Sequence, residues 1–122
     1  MTSSELRYLI TINKLCCGDI PVSLMKIAAE MKVSKVSVYK AVERLGKDGR
    51  VERTNRKVII TDKGKAILGE YMLMINFLCS HLTLHCVHDE AIAFNDAINA
   101  VCVLSDTGRD GIVAYLKTLG AV

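Results

Sequence analysis

Proline is almost absent from this chain of 122 residues, and Pro21 is the only one. Internal repeats, low-complexity tracts and Gly/Ser-rich linkers are missing as well. Together these absences argue against modules on flexible tethers and for one small domain, or a small domain fused to a half that cannot bury a core alone. The start, Met1-Thr2-Ser3-Ser4-Glu5, has neither a basic stretch nor an apolar h-region, so no secretory signal is expected. Without one, the five cysteines (Cys16, Cys17, Cys79, Cys86 and Cys102) should be reduced thiols in a cytoplasm. No C-x-x-C pair occurs, and Cys16 and Cys17 are neighbours that would point apart on a helix. A Gly-rich phosphate loop, a Ser/His/Asp order and an apolar-framed carboxylate pair are also lacking. Thiol chemistry at Cys86 with His85 or His88 is the only formal catalytic option, and no enzyme is expected.

Charge is missing over one long stretch. From Tyr71 to Val87, 17 residues contain no Asp, Glu, Lys or Arg. A membrane-spanning helix needs about 20 mainly apolar residues, and this run is interrupted by Asn76, Ser80, His81, Thr83 and His85. It reads as a buried helix and not as a span. A hydrophobic content of 51% allows a core.

What is present is concentrated between Val22 and Lys65. Ser23 can cap a helix with Leu24, Ile27, Ala28 and Met31 on its inner stripe. Val33 falls in a turn. Ser34 can then cap a second helix whose buried side is Val38, Ala41, Val42 and Leu45, broken by Gly46 and Gly49. A two-stranded basic ribbon follows, Val51-Glu52-Arg53-Thr54 and Lys57-Val58-Ile59-Ile60-Thr61, joined at Asn55-Arg56. Helix, turn, helix and ribbon make a winged helix-turn-helix, whose second helix enters the DNA major groove.

The charge distribution supports the same conclusion. Residues 1–66 hold 14 Lys or Arg against seven acids, and residues 67–122 hold two against six. A block of one sign is often only a solvated face. On a helix-turn-helix outline, it is the footprint of phosphate binding. The polar residues that would face DNA are Ser34, Lys35, Ser37, Tyr39, Lys40 and Arg44 on the second helix, and Arg53, Asn55, Arg56 and Lys57 on the wing. A winged helix that binds only protein should show a more apolar face there.

Beyond the wing, a long helix is expected from about Thr61 to Cys86, capped by Thr61. Its apolar residues Ile67, Leu68, Tyr71, Met72, Met74, Ile75, Leu78 and Leu82 cover more than one face, which implies several neighbours. A turn at Val87-His88-Asp89 leads to a second helix from about Glu90 to Leu104. Ser105 or Asp106 starts a third, with Ile112, Val113, Leu116 and Leu119 as its stripe. So much apolar helix in a short chain points to a homodimer, and two-fold symmetry suits a palindromic operator in double-stranded DNA.

These residues carry a family resemblance. Glu5-x-x-Tyr8-Leu9-x-Thr11-Ile12, Ile27-Ala28, Val33-Ser34-x-x-Ser37-Val38 and Leu45-x-Lys47-Asp48-Gly49-x-Val51 occur in order, ahead of Thr61-Asp62-Lys63-Gly64-Lys65. With Asn95-Asp96 and Leu104-Ser105 behind them, they resemble the diphtheria-toxin-repressor/manganese-transport-regulator family of metal-responsive repressors. The resemblance covers essentially the whole chain and is to the short branch, with no third domain expected. It implies a mainly α fold with a small β wing, DNA binding by residues 1–65 and dimerisation by residues 66–122. It also implies a divalent-metal site, and there the chain departs from the pattern. Arg7, Ile10, Ile75, Ile98, Val101 and Cys102 fall on the family's ligand positions. Only Cys102 could ligate, and Mn²⁺ or Fe²⁺ sites favour carboxylate and imidazole. A metal-independent regulator is therefore expected. The alternatives are a metal- or thiol-responsive repressor with a relocated site, or an interaction module without DNA binding. Candidates for a relocated site are His81, His85 and Cys102, because His81 and His85 are i, i+4 on a helix, a spacing that suits Zn²⁺. The same residues also read as ordinary, partly buried positions near the end of an apolar helix.

Overall fold

The computed structural model describes residues 1–17, 19–86 and 88–120. By its contacts the chain divides into two compact units, Thr2–Leu68 and Gly69–Val122 with Met1.

The first unit begins with α1 (Ser3–Cys16), whose N-terminus is closed by the Thr2 hydroxyl accepting from the Glu5 amide. A two-residue strand, β1 (Val22–Ser23), runs directly into α2 (Leu24–Met31), where the Ser23 hydroxyl accepts from the Lys26 amide. Lys32 ends α2 in the left-handed region at φ 56°, and the Val33 amide donates back to the Ala28 carbonyl. That closure turns the chain onto Ser34, which caps α3 (Lys35–Lys47). Strands β2 (Val51–Thr54) and β3 (Lys57–Ile60) form the wing. Leu6, Leu9 and Ile12 of α1, Ile27 of α2, Val38, Ala41, Val42 and Leu45 of α3, and Val58 of β3 are almost completely buried. Leu24 and Met31, at the two ends of the α2 stripe, are half-buried.

Two details differ from the sequence-based expectation. Among the described residues the sheet has three antiparallel strands in the order β1-β3-β2, with Val22 opposite Val58 and Ser23 opposite Lys57. Two residues are too few to show an alternating pattern, and β1 exists because the outer edge of β3 offers unpaired backbone groups. Second, Gly46 does not break α3, which continues to Lys47; the reversal is made by Gly49 at φ 74°.

The helix α4 (Asp62–His85) starts in the first unit and contributes its later turns to the second, where α5 (Glu90–Val103) and α6 (Asp106–Thr118) join it. Asp89 caps α5 and Ser105 caps α6. Val87, first residue of the turn expected before α5, lies outside the described residues. The second unit buries Tyr71, Met74 and Ile75 with Ala93, Ala97, Ile98, Val101, Val113 and Leu116. Leu119, expected on the α6 stripe, is exposed, because the helix ends at Thr118 and Leu119 is its C-cap. By length and composition α4 could cross a membrane, and 22% of its apolar window is buried within the chain.

Candidate nucleic-acid interface

The inner stripe of α3 fixes what its outer side presents. With Val38, Ala41, Val42 and Leu45 buried, Lys35, Ser37, Tyr39, Lys40 and Arg44 are exposed. Ser34 serves as cap: its hydroxyl accepts from the Ser37 amide at 3.1 Å and donates to the Ser37 hydroxyl at 3.0 Å. Arg44 leans toward α1, with Nε 3.8 Å from Glu5 Oε1. Val36, not among the residues expected from sequence to face DNA, is 61% exposed in the first turn of α3. Its position off the buried stripe and one turn before Lys40 was the available signal.

The wing places its cations by strand register. Val51 pairs with Ile60 and Arg53 with Val58, so all four side chains lie on one face of the ribbon. Val51, Val58 and Ile60 are buried against the helices, and Arg53 continues that face beyond the edge of the core. There its guanidinium lies over the Tyr39 ring, 4.6 Å from the centroid. The tip is a two-residue turn in which Asn55 takes φ 62°, a conformation Asn tolerates better than most residues. The Arg56 carbonyl accepts from the Leu24 amide at 3.0 Å, tying the tip to the start of α2. Ser23, Leu24, Met25, Lys35 and Arg56 line a cavity of about 290 Å³, which brings the α3 N-terminus and the wing tip to one place.

The base of the wing is clasped to α4. Thr61 donates its hydroxyl to the Gly49 carbonyl at 2.6 Å and accepts from the Gly64 amide at 3.0 Å, while its own amide donates to the Arg50 carbonyl at 3.1 Å. The expected Thr61 cap is therefore present and spans three segments. Nearby, the Asp19 carboxylate accepts from Lys65 Nζ at 3.0 Å. That hydrogen bond, reinforced by the opposite charge, holds the Lys65 ammonium above the ordinary lysine range.

No known family's sequence profile matches this chain, and no curated protein matches it in sequence. Solved structures do match in shape. The hypothetical protein SSo2273 from Sulfolobus solfataricus aligns with a TM-score of 0.72 at 21% identity, covering 95% of this chain and 89% of that one. IdeR from T. acidophilum aligns at 0.65 and 16% identity, covering all of this chain, and the manganese regulator SloR at 0.69 and 22% identity, covering 96%. The fold is a winged helix-turn-helix followed by a helical region. The chain spans 55% of the length of IdeR and of SloR, which are regulators of the type its motifs resemble.

The positions that resemblance assigns to metal binding are occupied as follows. Ile75, Ile98 and Val101 are buried hydrocarbon in the second unit. Cys102 is half-buried, and Arg7 and Ile10 are half-buried on α1. The His81 and His85 rings stack at 5.9 Å with 24° between their planes, and Phe77 packs on His81 at 4.5 Å. Among the described residues no group of three or more His, Cys, Asp or Glu side chains converges as a metal site. Such a site would need a third ligand beside the two stacked imidazoles.

Proposed function

We propose that this chain is a homodimeric, DNA-binding transcription regulator of the diphtheria-toxin-repressor/manganese-transport-regulator type, acting in the cytoplasm as a repressor on a palindromic operator. In this reading Thr2–Leu68 docks on DNA and Gly69–Val122 dimerises. The observation that carries it is the cationic face shared by α3 and the wing. Lys35 and Lys40 on the helix, and Arg53, Asn55, Arg56 and Lys57 on the ribbon, are all exposed in one compact unit, and the charge there has no other evident use. Ser34 and Ser37 at the start of α3 can add hydroxyl contacts to phosphate. Arg44, tethered to Glu5, sits at the margin of the face.

Dimerisation is supported by the apolar side chains that the second unit leaves exposed: Phe77, Leu84, Ile92, Val103, Tyr115 and Leu119. The proposed regulator does not depend on the family's metal, because Ile75, Ile98 and Val101 stand where imidazole and carboxylate would be needed. Selecting duplexes from a random pool, followed by anisotropy titration against salt, tests the proposal. An enriched two-fold symmetric sequence is expected, with a steep fall of log K against log salt, about 0.9 per phosphate neutralised. No enrichment, together with salt-insensitive binding, would favour an interaction module instead.

A further inference from the structure

We infer, resting on the DNA-binding reading, that Tyr39 is a positioning residue and not a base reader: it holds Arg53 of the wing over the recognition helix so that the guanidinium meets a DNA phosphate. Labour within the cationic face is then divided between residues that read bases and a pair that holds the backbone.

Three observations converge on the pair. Strand register places Arg53 on the helix side of the ribbon, in line with buried Val51, Val58 and Ile60, while its own side chain stays exposed past the edge of the core. Tyr39 is 45% exposed and lies beneath it, with the guanidinium carbon 4.6 Å from the ring centroid. Finally, Arg53 makes no salt bridge among the described residues, whereas Arg44, Arg50 and Arg109 each have a carboxylate. Stacking on a ring face leaves the in-plane N–H donors of a guanidinium available, and those donors suit two oxygens of a phosphate. A ring occupied in this way has one face covered and is poorly placed to insert among bases. The pair therefore joins α3 to the wing across their open edge, and the affinity it adds should not depend on sequence.

The test uses the full chain with two duplexes, one enriched by the wild-type protein from a random pool and one a scramble of it. Tyr39→Phe keeps the ring face and should bind both duplexes as wild type does. Tyr39→Leu keeps bulk and helix propensity but has no ring face. It should weaken binding to both by about two- to fivefold for each subunit bound, the size of one exposed cation–π contact. Arg53→Ala should reduce the slope of log K against log salt by about 0.9 per subunit, and adding Tyr39→Leu to it should change nothing further. A separate readout needs no DNA: the Arg53 δ-methylene protons should show an upfield ring-current shift in wild type and Tyr39→Phe, and lose it in Tyr39→Leu. Absence of that shift in wild type would overturn the brace. A Tyr39→Phe protein as weak as Tyr39→Leu, a weakening confined to the enriched duplex, or additive effects of the two substitutions would make Tyr39 a reader in its own right. A shifted Arg53 resonance in a wild-type protein that enriches no duplex and shows no salt-dependent binding to the random pool would sink the DNA-binding reading, and the phosphate role of the pair with it.

Discussion

A β-carbon at Gly64 would overlap the Arg50 carbonyl oxygen and lie 2.9 Å from Ile60 Cγ1. The first turn of α4 packs so closely on the base of the wing that only hydrogen fits. Gly64→Ala should therefore destabilise the protein by at least the 1–3 kcal/mol, roughly, of an overpacked core, since backbone must move; urea unfolding measures it, and an unchanged midpoint would contradict the packing. Thr61 is the second residue on which this junction turns. Its hydroxyl both donates to the Gly49 carbonyl and accepts from the Gly64 amide. Thr61→Val keeps the shape and removes both bonds, so a destabilisation of about 1–2 kcal/mol is expected from the same unfolding curves, most of it from the missing cap. The exposed Asp19–Lys65 pair nearby should add little stability.

Among the elements, the amphipathic helices of the first unit are legible in the sequence because each has one buried side. Ser23 and Ser34 mark the starts of α2 and α3, and the middle of each i, i+3, i+4 stripe behind them is buried. β1 is not legible, since its pairing depends on where β3 arrives from a distant part of the sequence. Gly46 looks like a helix breaker, yet glycine lowers helix propensity by only about 1 kcal/mol, which the packing of Val42 and Leu45 outweighs. For function, Lys35 in the first turn of α3, at the flank of the buried stripe, and Lys40, opposite that stripe, are both exposed. Replacing both with alanine should weaken operator binding by about 1–3 kcal/mol for each base that goes unread, and nearly equally on all sequences if the two lysines hold phosphate. Native-like affinity of the double variant would reject docking through α3. At the wing tip, neutralising Arg56 and Lys57 together should flatten the salt dependence of binding by up to about two phosphates per subunit.

Across the full chain, the division of charge matches the division into units: cations gather in residues 1–66, while the rest of the chain is acidic and rich in apolar helix. A metal can activate a regulator only by binding its DNA-competent state preferentially. With Ile75, Ile98 and Val101 on the family's ligand positions, that lever is absent from the proposed regulator. Purified protein should bind its operator after exhaustive chelation. Adding Mn²⁺, Fe²⁺ or Zn²⁺ should change affinity by less than tenfold, about 1.4 kcal/mol. A larger gain with Zn²⁺ would direct attention to His81, His85 and Cys102. Sedimentation of the chelated protein should show a dimer, because the exposed apolar side chains of α4, α5 and α6 remain to be covered with or without metal.

The order of helices and wing, the polar side of α3 and the basic character of the first unit are all written in the amino-acid string. Each follows from local periodicity, capping chemistry or charge count, which act over a few neighbouring residues. Folding in three dimensions was needed to put Arg53 over Tyr39, to bring Glu5 to Arg44, to complete the sheet with β1 and to require glycine at position 64. Those four depend on strand register and on close approach between segments far apart in the chain, and no local pattern encodes either. The C-terminal helices show the same limit. Their residues are apolar on several sides, so periodicity could not say which of Phe77, Leu84, Ile92 or Tyr115 would stay uncovered; only packing against specific neighbours makes that choice.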